Sequence, residues 1–324
     1  MLHTFDYVRP ASLEDALKQV QGASTRVHAG GTDLLGCIRD DVMPVDKVVS
    51  LSGIEGLRGI APTSDGGLRI GALTTIAELV SHPTIVASYT ALSQAAAVVA
   101  SPQLRNQGTI GGNLCQRPRC WYFRGQYACA RKGGDLCFAM NGQNQYHAIF
   151  GGNFCYIVHP SDTAPALVAL DASVRVAGPK GTRTVPMEKF FVLPDVQLTR
   201  ETVLEPGEIV TEVLLPRPDP ATRSLYRKVR ARGSWDFAMT GLALAIVMKA
   251  GKVENARVVL SGVAPTPWRV PAVEKAIVGQ KLDSRTIARA AEAAVAGAQP
   301  LEHNGYKVAL VRGVVEEGLG AFAG

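Results

Sequence analysis

Apolar residues at Leu13, Ala16, Leu17 and Val20 follow Ser12 at helical spacing and predict a capped helix from SLED to about Val20. The period then shortens. Thr25–Ala29 reads as a strand that stops at Gly30 and Gly31, Lys47–Leu51 as a short buried strand, and Gly67–Leu73 as an alternating strand leading into a helix near Ile76–Val80. Tyr89–Ala100 is rich in small residues and predicts a closely packed helix. From Ser101 to Asn113 the chain is polar and punctuated by glycine, and from Cys115 to Cys155 periodicity fades altogether. So long a stretch without regular elements is unusual in a compact domain and calls for an internal organiser. Strands resume at Ser173–Ala177 and Ile209–Leu215, and PRPDP at 216–220 marks a boundary. Beyond it, Ser224–Val229 reads as a strand. Ala238–Met248 and Val253–Val263 read as apolar strands hairpinned about Lys249–Gly251, and Arg285–Ala296 and Tyr306–Leu319 as helices. The last part is therefore α+β, a sheet with helices on one face.

Composition narrows the function classes. The 324 residues suit two domains or one large α/β unit, and 19% charged against 47% hydrophobic residues excludes global disorder. The net charge of +6 is scattered rather than blocked, which argues against nucleic acid and for a surface that meets an acidic partner. The opening MLHTFDYVRP lacks a basic region followed by an apolar one, and the longest apolar run, Gly241–Met248, is too short for a membrane span. The expectation is a cytoplasmic chain by its own sequence, or a periplasmic one exported beside a partner that carries a signal.

Five of six cysteines, Cys115, Cys120, Cys129, Cys137 and Cys155, lie between 115 and 155. Clustering in a long chain without a leader favours metal or iron–sulfur binding over disulfides. Cys37 stands apart and reads as a buried thiol. Two glycine turns offer a second chemistry. In Val27–Leu35 (VHAGGTDLL), paired glycines follow a strand, so successive N–H groups can aim at one anion, with the Thr32 hydroxyl beside them. QGTIGGN at 107–113 repeats the pattern. Neither is G-x-G-x-x-G, so no nicotinamide site is indicated; ordinary turns, with Thr32 or Asp33 capping a helix, are the plainer alternative.

AGGTDLL at 29–35, TIGGN at 109–113, HPSDTAPAL at 159–167 and YRKVRARGSWDFAM at 226–239 stand in that order. Together they resemble the FAD-binding subunit of the xanthine dehydrogenase and carbon monoxide dehydrogenase family, the molybdenum hydroxylases. The resemblance implies an α+β fold: a two-subdomain FAD-binding unit related to vanillyl-alcohol oxidase (1–55 and 56–216), then a CO-dehydrogenase-flavoprotein-like domain (217–324). It implies that FAD lies along Val27, His28, Ala29, Gly30, Gly31, Thr32, Asp33 and Leu34 and along Thr109, Ile110, Gly111, Gly112 and Asn113, with Ser101 and Gln103 just upstream. Asp162 would bind polar groups of the adenosine half and Lys228 would sit near the flavin ring, where a cation suits reduced flavin. As plainer alternatives, Asp162 is a helix cap and Lys228 a solvated lysine.

Most members of that family pass directly from the second glycine turn to the Ser-Asp segment, whereas this chain inserts residues 115–156. A similar insertion, in 4-hydroxybenzoyl-CoA reductase β subunits and periplasmic aldehyde oxidoreductases, carries a [4Fe–4S] cluster. QLRNQGT, R-x-R-C-x-Y-F and the histidine before P-S-D look more like the aldehyde oxidoreductase type. The expected ligands are Cys120, Cys129, Cys137 and Cys155, with Cys115 as the rival to Cys120. No C-x-x-C pair supports zinc. Arg117, Arg119, Arg124, Arg131 and Lys132 surround these thiols and would offset a cluster's negative charge.

No H-E-x-x-H, G-x-S-x-G or P-loop appears, so substrate chemistry is not expected on this chain. The resemblance implies an electron-transfer subunit of a heterotrimer, with a small [2Fe–2S] subunit and a large molybdopterin subunit as partners. The alternatives are a reductase type, with electrons running toward molybdenum, and a flavin-free zinc-binding assembly subunit.

Overall fold

The computed structural model of the chain describes residues 3–323. Ser12 caps the first helix, Leu13–Gln19, through the Asp15 N–H, as its S-x-x-D start predicts. That helix packs on a three-stranded parallel sheet ordered Asp6–Val8, Lys47–Ser50, Thr25–His28, with Ala16, Val20, Val49 and Leu51 in its core. The strand Thr25–His28 feeds the first glycine turn from this sheet.

The second unit is a five-stranded antiparallel sheet ordered Ile60–Pro62, Leu68–Gly71, Ile209–Leu215, Ser173–Gly178, Gly181–Pro186. Ile60–Pro62 and Gly181–Pro186, the two edge strands, carry no clear apolar alternation and escape a reading by period; Gly181–Pro186 exposes all but Val185. The polar stretch at 101–113 is two short helices, Pro102–Gln107 capped by Ser101 and Ile110–Leu114 capped by Thr109.

The last unit is a four-stranded antiparallel sheet ordered Trp268–Arg269, Lys252–Ser261, Thr240–Lys249, Thr222–Val229. Its central hairpin turns at Ala250 and Gly251, both with positive φ. Helices Pro271–Ile277, Ser284–Ala294 and Tyr306–Gly320 cover one face, against Leu242, Leu244 and Ile246. The expectation of helices on one face is incomplete. Ala243, Ala245 and Val259 point the other way, into the core of the second unit, where helices Thr90–Ala97 and Thr163–Ala169 pack on them. Burial on both faces explains why these strands are continuously apolar rather than alternating.

Candidate functional site

The first glycine turn follows a parallel strand and stays open. The N–H groups of Gly30, Gly31, Thr32 and Asp33 donate to no protein acceptor among the described residues, which leaves a run of donors facing one cavity. Gly31 has φ +74°, and a Cβ there would lie 2.6 Å from His28 Nε2. His28 thus buttresses the turn from behind rather than lining the cavity, and burial lowers its pKa. A Cβ on Gly30 would overlap the Gln107 carbonyl oxygen, where the two turns touch, and Gln107 Nε2 donates to Gly30 O at 3.2 Å.

The second turn is built differently. Ile110 N–H donates to Thr74 O and Gly111 N–H to Ala72 O, both at 2.9 Å. Gly112 N–H donates to Thr109 Oγ1 at 3.1 Å. The expected exposed donors are therefore engaged within the protein. Gly111 packs closely against Ala72, and it lines the cavity together with Gly112 and Thr109. Ile110 is core, Ser101 caps its helix through the Leu104 N–H, and Gln103 is exposed; none of the three lines the cleft.

Three adjoining chambers form an extended cleft. The first, about 280 Å³, is lined by Val27, Ala29 to Leu34, and Thr109. The central one, about 420 Å³, shares Thr32, Asp33, Thr109, Gly112 and Gln116 with it and adds Asn113, Asp162 and Lys228. The outer one, about 340 Å³, shares Asp162, Arg119 and Phe237 with the central chamber and reaches Cys120 and His147. Such a run of chambers accepts a long, polar-ended ligand. Trp235, Phe237 and Gln116 line the central chamber and were missed by sequence reasoning. Two of them stand in the GSWDF stretch, and aromatic residues beside an already recognised motif were the available signal.

Side chains chosen from the motifs turn out to serve the frame as well. Asn113 Oδ1 accepts from Ser161 Oγ at 2.5 Å and Thr163 Oγ1 at 2.7 Å, which fixes the Ser-Asp segment to the second turn. Asp33 makes no capping bond to its helix. It accepts instead from the Arg117 N–H and from Arg124 Nη2, each at 2.7 Å, and pairs with Arg119 at 2.8 Å. One carboxylate thus ties the first turn to the cysteine insertion. Asp162 makes no capping bond either, and Lys228 is not a surface lysine. They form a buried pair at 2.7 Å, with the Tyr226 hydroxyl donating to Asp162 at 2.8 Å and Lys228 Nζ also donating to Val98 O. Burial pushes the Asp162 carboxyl up, and Lys228 and Tyr226 pull it back. Because the two residues touch, they belong to the same stretch of cleft.

The insertion is mostly irregular, with short turns at Trp121–Arg124 and Ala130–Lys132. Cys120, Cys129, Cys137 and Cys155 line one narrow cavity, about 10 Å³, walled by Tyr122, Phe123 and Phe138. Cys115 faces the first chamber of the cleft instead, and Cys37 is fully buried beside Phe123 and Cys129. Burial pushes the Cys120 thiol up to about 12 and that of Cys155 up to about 11, so a bound cation is what would hold them as thiolates. Among the described residues no three His, Cys, Asp or Glu side chains converge closely enough for one metal ion. His147 Nε2 lies 3.2 Å from Cys120 Sγ, its pKa lowered to about 4 by burial and by Lys307. His159 is also held neutral, lowered to about 3 by burial, with its ring edge-on to Phe191.

Residues 3–218 match the family described as the FAD binding domain in molybdopterin dehydrogenase, which covers both glycine turns and the insertion. The chain belongs to that family. Residues 224–321 match the CO dehydrogenase flavoprotein C-terminal domain. The chain is 36% identical over 318 residues to the aldehyde oxidoreductase FAD-binding subunit PaoB of Escherichia coli, covering 96% of each. It is 28% identical to the carbon monoxide dehydrogenase medium chain of Hydrogenophaga pseudoflava, covering 98% of this chain and 96% of that one. A solved structure of carbon monoxide dehydrogenase from Hydrogenophaga pseudoflava superposes with TM-score 0.79 at 27% identity, over the full length of both chains. The mixed helix–sheet fold is that of these oxidoreductase subunits. No helix among the described residues is long and apolar enough to cross a membrane.

Proposed function

We propose that this chain is the FAD- and [4Fe–4S]-carrying electron-transfer subunit of a heterotrimeric molybdenum hydroxylase of the aldehyde oxidoreductase type. Its partners are then a small [2Fe–2S] subunit and a large molybdopterin subunit where substrate is oxidised, and an external acceptor takes the electrons. When bound, flavin exchanges electrons singly or in pairs and a four-iron cluster one at a time.

The observation that carries the reading is the shared wall. Cys120 and His147 line both the four-cysteine cavity and the outer chamber of the cleft, so two redox groups held there are neighbours. The family match supports FAD in the cleft. The open N–H groups of Gly30 to Asp33 suit a diphosphate, and Thr32 adds a hydroxyl. Asn113 and Gly112 form the facing rim, Trp235 and Phe237 offer apolar surface for a planar ring, and the Asp162–Lys228 ion pair lies at the chamber wall. For the cluster, support comes from four thiols that line one cavity walled by Tyr122, Phe123 and Phe138.

Iron and flavin analysis of the isolated complex, with EPR of the dithionite-reduced sample, tests the reading. One FAD and four irons per copy of this chain, beyond those of the [2Fe–2S] subunit, is the expected result. Cys129→Ser should lose those irons and keep flavin. Zinc in their place, or wild-type iron in Cys129→Ser, overturns the ligand set.

A further inference from the structure

Of the five cations that surround the cysteines in sequence, four are committed elsewhere. Arg119 and Arg124 pair with Asp33, Arg117 with Glu201 at 2.8 Å, and Lys132 Nζ donates to Gly125 O at 2.6 Å. Arg131 alone reaches a thiol. Its side chain is 1% exposed, it lines the four-cysteine cavity, and its Nη1 lies 4.0 Å from Cys155 Sγ. It cannot swing away. Nε donates to Glu201 Oε1 at 2.9 Å, Nη1 to Leu198 O at 2.5 Å and Nη2 to Arg200 O at 3.0 Å. Those partners lie at 198–201, outside the insertion, so the second subdomain holds this charge against the loop.

We propose that Arg131 is the positioned charge that sets the reduction potential of the iron–sulfur centre, with Glu201 as its counter-charge. The inference rests on the cluster reading above. Reduction adds one electron, and hence one negative charge, to the centre. A fixed, buried cation beside a ligand sulfur favours the reduced state more than a solvated one would. Glu201 is buried and shared between Arg131 and Arg117, so the trio carries a net +1. Removing Arg131 leaves a balanced Arg117–Glu201 pair, whereas removing the Glu201 charge leaves two cations. The two changes should therefore move the potential in opposite directions, which a purely structural role does not produce.

The test is an EPR-monitored redox titration of the assembled complex. Arg131→Gln should lower the midpoint potential of the cluster, Glu201→Gln should raise it, and Arg131→Lys should fall between wild type and Arg131→Gln. Lys132→Gln should leave it near wild type. If Arg131→Gln loses iron, Glu201→Gln decides: an upward shift supports the proposal, and an unchanged or lowered potential overturns it. Unchanged potentials in both variants at wild-type iron content overturn it too. Absence of a four-iron signal from the wild-type complex removes the cluster reading itself and is seen before any variant is made.

Discussion

In the first glycine turn the N–H groups of Gly30 to Asp33 have no protein acceptor among the described residues, whereas in the second those of Ile110, Gly111 and Gly112 go to Thr74, Ala72 and Thr109. Both turns read alike as peptides: two glycines, a threonine and a polar residue. Their surroundings separate them. The first hangs from the end of a parallel sheet strand, meets the second turn at Gln107 and opens its N–H groups onto the cleft. The second is folded down onto the Ala72–Thr74 stretch, so its glycines serve close packing as much as ligand access. Small residues thus grant either an open donor row or a tight backbone contact, and the neighbouring chain selects which.

The sharpest way to break this comparison is Asp33→Ala, which leaves the first turn's N–H groups in place but removes the carboxylate shared by Arg117, Arg119 and Arg124. Charge-assisted bonds of this kind predict a loss of roughly 3 kcal/mol. A clear drop in melting temperature and reduced iron content should follow; an unchanged melting curve would mean that the insertion is anchored by other contacts. Next comes Gly111→Val. A Cβ there would meet Ala72 Cβ and O at 3.0 Å, so overpacking should cost about 1–3 kcal/mol. Urea unfolding of the flavin-free protein reads this directly. If stability held and only flavin affinity fell, the second turn would be a ligand loop like the first.

The threonines give the finer contrast. Thr109→Ala removes the cap on Gly112 N–H and should cost about 1 kcal/mol of stability, measured by chemical denaturation. Thr32 is exposed and faces the cleft, so Thr32→Ala should leave stability unchanged. Its expected effect is weaker flavin binding by up to about tenfold in calorimetry, the worth of one hydrogen bond. A stability loss in Thr32→Ala equal to that in Thr109→Ala would erase the distinction between the turns.

The helix Leu13–Gln19, the strand that feeds the first glycine turn and the last hairpin were legible because each has a strong period or a clear cap. The edge strand Gly181–Pro186 was not, because only Val185 of its side chains is buried. The second face of the last sheet was not legible either. Burial against helices from a sequence-distant unit makes a strand uniformly apolar, and that pattern does not name the partner. At the site, many of the motif residues line one cleft, and others serve the frame around it. Ser101 is a helix cap, His28 a buttress and Ile110 core, since a motif records proximity to a site without recording the direction of each side chain.

By itself the sequence determined the family and the clustering of the cysteines between 115 and 155, because these follow from residue type and spacing along the chain. Tertiary structure alone decided which glycine turn stays open, that Asp162 and Lys228 neutralise each other, that Cys120 and not Cys115 faces the other three cysteines, and that Arg131 is the cation beside them. Each of those outcomes depends on where a hydrogen bond or a charge finds its partner. Those partners lie up to about seventy residues away in the chain, at a separation that no local pattern encodes.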